Sequence, residues 1–215
     1  GHGVAGAYRG HLVLPSGARA RLAGGRLVIE TDMTDIGTGS YTILAQTAAE
    51  TMGMEPGDVE VRLGNSAYPV SSGSGGQFGA ASSASGVHAA CMALREKIAA
   101  ALGLDTPEFR DGRVVTGNTS IALAEIEEEV AAEDAIQWGK FQKRLAMASF
   151  GAHFVELGVH AYTGETRVRR MLAVCDAGRI LNPVTARSQV LGGMVMGVGA
   201  ALSEEMALDS GRGLF

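Results

Sequence analysis

The stretch that decides the reading is Asp176-Ala-Gly178-Arg179-Ile180-Leu181-Asn182-Pro183-Val184-Thr185. It lies between an alternating strand pattern and a glycine-rich apolar run. Asn182 suits a helix N-cap, because its side-chain oxygen can accept from first-turn N–H groups. Pro183 suits the first helical position, where its missing N–H costs nothing. Such a helix start offers N–H donors to an anion, and Arg179 and Arg187 add positive charge on either side. The stretch reads as one wall of a cofactor site.

Working outward, a helix is expected from Pro183 to Leu202, with Val184, Leu191, Val198 and Leu202 on one side. Gly192, Gly193, Gly197 and Gly199 leave part of its surface bare. Each glycine in a helix costs about 1 kcal/mol against alanine, so close approach of another backbone or a ligand is the expected reason. Membrane dimerisation through Gly193-x-x-x-Gly197 is the weaker alternative, since the apolar run Val190 to Leu202 is shorter than the roughly 20 residues of a membrane span. Upstream, Phe150 to His160 and Glu165 to Asp176 read as strands around Tyr162-Thr163-Gly164.

The same order occurs earlier. Ala18 to Ala23 and Arg26 to Thr31 read as a hairpin around Gly24-Gly25. Asp35-Ile36-Gly37-Thr38-Gly39 follows, then a helix from Tyr41 to Met52 with Leu44, Ala48 and Met52 on one face and Gly53 as its stop. Asp35-Ile-Gly37 thus corresponds to Asp176-Ala-Gly178 in a loose internal repeat of hairpin, turn and helix. Chance recurrence of small units of this kind is the competing reading.

Between the repeats, Val59 to Leu63 reads as a strand. Pro69 to Ser83 is rich in Gly and Ser and could be a flexible linker. It contains Phe78, however, and runs without a break into a helix from Ala81 to Leu102. That helix carries Val87, Cys91, Leu94, Ile98 and Leu102 on one stripe and ends at Gly103. Its glycines and serines could cradle an anion with N–H and O–H groups. Leu104 to Leu145 is less patterned: a strand near Arg113 to Thr116, helical patches near Leu123 to Ala132, a solvated acidic face at Glu125 to Glu129, and Trp138 as a packing anchor. Gly1 to Gly10 shows little pattern.

The chain has 215 residues, 46% hydrophobic and 19% charged, with net charge −5. This is a globular balance, and nothing in it favours a nucleic-acid surface. Cys91 and Cys175 form no C-x-x-C and read as small buried hydrophobes. His88, His153 and His160 belong to no metal-binding motif. The phosphate-binding patterns G-x-x-x-x-G-K-[ST] and G-x-G-x-x-G and the nucleophile elbow G-x-S-x-G are absent. Glu204-Glu205 reads as a solvated helix end. What remains is a binding module with three loops, each at a helix start and each suited to an anionic, phosphate-bearing ligand.

Asp35-Ile-Gly-Thr-Gly-Ser-Tyr-Thr-Ile-Leu-Ala-Gln-Thr-Ala-Ala-Glu50, Gly73-Ser-Gly-Gly-Gln-Phe-Gly79 leading to Cys91, and Asp176 to Pro183 leading to Gln189 together resemble the molybdenum-binding large subunit of the xanthine dehydrogenase/aldehyde oxidase family. The resemblance covers nearly the whole chain and is nearest to the bacterial aldehyde-oxidising branch, whose subunits are separate chains. It implies an α+β fold with two β-β-α subdomains, residues 1–145 and 146–215, each part of a molybdopterin-binding domain.

The resemblance further implies a molybdopterin cofactor, in bacteria often its cytosine dinucleotide form. Its molybdenum is held by the pterin dithiolene and by no protein side chain. A small aldehyde would be oxidised to a carboxylic acid, with electrons leaving through 2Fe–2S clusters and FAD on partner subunits of a heterotrimer. Residue by residue, Gly37, Thr38 and Gly39 match the first cofactor loop. Gly76, Gln77, Ala80 and Ala81 match the second. Arg179, Ile180, Leu181, Asn182, Pro183, Val184 and Thr185 match the third, and Gln189 matches a pterin-side glutamine. Thr38 stands where xanthine-oxidising members have Gln, which favours aldehydes over purines. The family's catalytic Glu, in a Gly-Val-Gly-Glu-like motif, matches nothing between Gly1 and Phe215, so the chain is expected to be a fragment of a longer subunit without its general base. The rival expectation is a non-catalytic scaffold or assembly module that binds no cofactor. Cytoplasm and periplasm both stay open.

Overall fold

In the computed structural model, residues 1–136 and 144–214 are described; Trp138 lies outside the described residues. The chain divides into two compact units, His11–Met147 and the pair of segments Gly1–Gly10 and Ala148–Phe215. The sequence reading draws its subdomain boundary between residues 145 and 146; the compact units part at Met147. Residues 1–10, read there as part of the first subdomain, belong with the second. The reason is strand β1 (His2–Gly10), which pairs antiparallel along its whole length with β9 (Ala148–Val159). β1 is broken by Gly3, Gly6 and Gly10, so the alternation of Val4 and Tyr8 with Ala5 and Ala7 is too weak for a sequence reading to detect.

The first unit, which we call the core unit, is built on a four-stranded sheet. It contains β2 (Ser16–Ala23), β3 (Arg26–Thr31), β4 (Val59–Leu63) and β8 (Val130–Ile136), in the order β4-β3-β2-β8. β2 and β3 form the expected hairpin about Gly24-Gly25, and β4 runs parallel to β3 with Ile29 opposite Val61. The parallel pairing requires a crossover, supplied by helix α1 (Ser40–Met52). Strand β8 replaces the helical patches expected between Leu123 and Ala132, of which only a 3₁₀ turn at Leu123–Glu125 forms. Tertiary pairing of Val130 to Ala132 with β2 overrides a local pattern too short to hold a helix. A small sheet of β5 (Glu108–Arg110), β6 (Arg113–Thr116) and β7 (Thr119–Ala122) completes the unit.

Helix α2 (Gly79–Leu102) packs across β2 and β8 and against α1. Its expected stripe is the core as far as Ile98, with Leu102 only partly covered: Val87, Cys91, Leu94 and Ile98 are fully buried, as are Leu44, Ala48 and Met52 of α1 and Ala18, Ala20, Leu22, Leu27 and Ile29 of the sheet. The approach of α2 to β2 is close. A Cβ on Gly86 would lie 2.5 Å from the carbonyl oxygen of Ser16. The opposite face of the sheet is charged. Glu30, its side chain only 5% exposed, meets Arg21 at 2.7 Å, Arg19 at 3.3 Å and Arg62 at 3.7 Å.

The second unit, the outer unit, holds the three-stranded sheet β1-β9-β10, with β10 spanning Thr166–Asp176, and helix α3 (Pro183–Leu202). α3 has the expected bounds, and its N-cap is Asn182. None of its residues is buried, however: Val184 is 74% exposed, Leu191 42% and Leu202 46%. No described helix is long and apolar enough to cross a membrane.

Gly86→Val would force a branched side chain into the β2 backbone. Overpacking of this kind costs about 3 kcal/mol, so the variant is expected to unfold at distinctly lower urea with the slope of the transition unchanged.

Candidate cofactor site

In the core unit two glycine loops are fastened to each other. The first begins where β3 ends. Asp35 Oδ1 accepts from the backbone N–H of Gly37 at 2.8 Å and of Thr38 at 3.1 Å, a tight turn that needs Gly37 at φ 90°. Gly39, also left-handed at φ 85°, then opens α1 without a side-chain cap. The second loop is laced to the first. Asp32 donates its N–H to the Pro69 carbonyl at 3.0 Å, and its Oδ1 accepts from the Ser71 N–H at 2.7 Å. Gly17 N–H donates to the Val70 carbonyl at 2.8 Å, and Ser74 Oγ donates to the Thr34 carbonyl. Pro69 to Ser83 is therefore no linker. It ends in Gln77, a non-glycine residue at φ 71°, and Phe78, from which α2 starts, again with no side-chain cap.

Two helices packed on each other thus begin without side-chain caps beneath two joined loops. The first-turn N–H groups of a helix have no intrahelical acceptor, and they carry the positive end of its dipole. Gly37, Gly76, Gln77 and Ala80 are exposed, while Thr38, Gly39 and Ala81 are partly covered. Asp32, Ser71 and Ser74 are the residues that sequence reasoning missed. Their signal was faint: an acid three residues ahead of the Asp35 turn, and serines in a stretch whose composition suits a linker.

The turn ahead of α3, in the outer unit, is built on the same plan. Asp176 Oδ1 accepts from the Gly178 N–H at 3.1 Å, with Gly178 at φ 73°. It then diverges. Asn182 Oδ1 accepts from the N–H groups of Val184 and Thr185, both at 3.0 Å. The sequence reading offered these N–H groups to an anion, but Asn182 already uses them. What this segment presents is side chains: Arg179, Ile180 at 48% exposure, and Gln189 one turn further on.

Residues 1–214 match the family described as the molybdopterin cofactor-binding domain. The chain belongs to this family. It is 57% identical over 220 residues to the aldehyde oxidoreductase molybdenum-binding subunit PaoC of Escherichia coli, covering 100% of this chain and 30% of that protein. It is 30% identical over 208 residues to the putative xanthine dehydrogenase molybdenum-binding subunit XdhA of the same species, covering 88% of this chain and 28% of the relative. Among solved structures, quinoline 2-oxidoreductase from Pseudomonas putida 86 matches with TM-score 0.83 at 22% identity over 100% of this chain and 31% of that one. The aldehyde oxidoreductase from Desulfovibrio gigas matches with TM-score 0.71 at 22% identity, over 96% of this chain and 23% of that one. The chain spans about 30% of the length of the first curated relatives it matches.

A molybdopterin-binding domain needs N–H and amide donors for an anionic, heteroatom-rich ligand, and the donor set suits one. The α1 and α2 starts supply backbone donors. The Gln77 and Gln189 side chains form no hydrogen bond among the described residues. No group of three or more His, Cys, Asp or Glu side chains that could hold a metal occurs among the described residues.

Of the two cysteines, expected to be buried, one is and one is not. Cys91 is buried in the α2 stripe, and burial pushes its thiol pKa up to about 12. Cys175 is exposed, because the sheet face it lies on is only partly covered by α3. Cys91 is expected to resist maleimide at pH 8 until urea unfolds the core unit; native labelling mapped to Cys91 by mass spectrometry would contradict its burial. Asp35→Ala should raise amide exchange over residues 36–39, because two N–H groups lose their acceptor. The cost to global stability should be about 1 kcal/mol.

Proposed function

We propose that this chain is the part of a molybdenum hydroxylase large subunit that holds the molybdopterin cofactor, in its cytosine dinucleotide form, and that the parent complex oxidises aldehydes to carboxylic acids. The observation that carries the reading is the pair of uncapped helix starts, α1 and α2, beneath glycine loops joined through Asp32 and Ser74. A charged ligand is what such a pair suits.

Within this reading the core unit's donors are the N–H groups around Gly39 and Ala80, with Gly76, Gln77 and Ala81. Gly37 and Thr38 act differently: their N–H groups are held by Asp35, so they shape the loop and donate nothing from the backbone. Arg179 and Gln189 are the outer unit's donors, with Ile180, Leu181 and Val184 as apolar lining. Asn182, Pro183 and Thr185 set the helix start that orients them. The bound group would supply the oxygen transfer and the redox chemistry, and the protein its position. One aldehyde and one water together give one carboxylic acid, two protons and two electrons. Partner subunits with 2Fe–2S clusters and FAD would carry the electrons away. The catalytic Glu of this reading lies outside these residues.

The 57% identity to an aldehyde oxidoreductase subunit, against 30% to a xanthine dehydrogenase subunit, favours aldehydes over purines. Thr38 agrees with that preference.

The test is metal analysis of the complete complex. Molybdenum and cytosine nucleotide are expected in equal amounts, and Gln77→Ala with Gln189→Ala should lower both without dissolving the complex. Wild-type complex free of molybdenum would overturn the reading. Unchanged molybdenum and aldehyde turnover in the variants would remove these glutamines from the site.

A further inference from the structure

The two units share one plan, and one of them is only partly built. In the core unit the hairpin β2-β3 ends in the Asp35 turn and leads into α1. In the outer unit the hairpin β9-β10 ends in the Asp176 turn and leads into α3. Each hairpin has an antiparallel neighbour beside its first strand, β8 beside β2 and β1 beside β9. The orders β8-β2-β3 and β1-β9-β10 therefore correspond in space, although β8 follows its hairpin in the chain and β1 precedes it. The core unit has two more parts: β4, parallel to the outer edge of β3, and α2, laid over β2 and β8 beside α1. Among the described residues the outer unit has neither.

The surface that would receive them is prepared. The outer edge of β10 is unpaired among the described residues, and an exposed edge is a template for a strand. One face of the sheet carries Ala5 and Ala7 of β1, Gly151 and His153 of β9, and Ala173 and Cys175 of β10, as their register shows. All but His153 are small, as are Ala18 and Ala20 on the β2 face that α2 covers. α3 rests on β10 at the side of this face and leaves a cleft of about 420 Å³, lined by His153, Met171, Cys175, Gly193, Met194 and Gly197 among others. A Cβ added to Gly192, Gly193 or Gly197 would meet nothing within 4 Å. The bare side of α3 is therefore open. Every buried hydrophobic residue of the described chain lies in the core unit. A sheet and a helix that bury no side chain between them lack the apolar burial that stabilises a fold.

We propose that the outer unit is completed by a strand–loop–helix segment of its own subunit, from outside residues 1–215, built like Val59–Leu102. The strand pairs parallel with the outer edge of β10. The helix fills the cleft, on the Ala5, Ala7, Gly151 and His153 face, with Gly193 and Gly197 admitting it close to α3. The occupant is argued from the core unit, where a segment of this form does the same work, and from the relatives, of whose length this chain spans 30%. β10 to α3 repeats β3 to α1, and the remaining side of β10 is the one on which a parallel strand can follow. The proposal is independent of which ligand the loops hold.

The test uses the full-length subunit in its complex. Photo-methionine, close in shape to methionine, is incorporated, and cross-links from Met171 and Met194 are mapped by mass spectrometry. The expected products join both residues to one apolar helical peptide of the same polypeptide, outside residues 1–215. Cross-links to another subunit, to a second copy, or to no peptide at all would overturn the helix. Cys175 is expected to lose maleimide labelling in the native complex and regain it on denaturation; native labelling of Cys175 counts against the proposal. Amide exchange reads the strand. All amides of Thr166–Asp176 should be protected, and free exchange of alternate amides would overturn the parallel pairing. Loss of the cofactor leaves these readouts intact, so the two proposals fail separately.

Discussion

The seating of α2 on β2 is the constraint from which the core unit follows. Gly86 lets the helix backbone come to the Ser16 carbonyl with no side chain between. Ala18 and Ala20 keep the strand surface low, and Val87, Cys91, Leu94 and Ile98 then close the space on either side. Because α2 is fixed on the sheet, its N-terminus is fixed beside the end of β3. The loop from Pro69 to Phe78 must connect there, and Asp32 and Ser74 tie it down. The placement of the loop donors is thus a consequence of a packing distance some two turns into the helix.

The same sheet is stabilised differently on its other face. Glu30 is almost fully covered, yet three arginines surround it. A carboxylate taken from water costs free energy that only close, multiple partners offset. Here the arginines reach in from the two strands that flank β3, Arg19 and Arg21 from β2 and Arg62 from β4, so the ion cluster also registers the strands against one another. Among the described residues the outer unit has no such arrangement. Its sheet carries Val4, Tyr8, Phe150, Phe154, Leu172 and Val174 on the face opposite α3, all well exposed, with the Tyr8 and Phe150 rings in edge-to-face contact at 5.3 Å.

Much of this was legible in the residues. The hairpin about Gly24-Gly25, the helix stripe from Val87 to Ile98, the glycine stops at Gly53 and Gly103, and Asn182-Pro183 as a helix start all rest on local rules of turn chemistry and period. The misreadings have one source as well. β1 and β8 are strands because of what they pair with, residues far away in the chain, and their own patterns are weak. Cys175 looked like a core residue because an apolar strand end says nothing about whether its face is covered. At the candidate site, residue types named the loops but not the fate of their N–H groups. Asp35 and Asn182 use donors that the motif alone would assign to a ligand.

What the sequence determined by itself is the set of local events: where helices start and stop, where the chain turns, and which positions can carry a loop of donors. It also carried the family, since three loop motifs in order are a covalent property of the chain. What only the tertiary structure decided is assignment between distant parts. It joined residues 1–10 to the outer unit, laced the second loop to the end of β3, and left α3 with a bare side. The physical reason is range. Capping, turn and periodicity energies act over a few residues and are written in neighbouring side chains. Strand pairing and helix seating depend on complementary surfaces that come together only when the chain has folded.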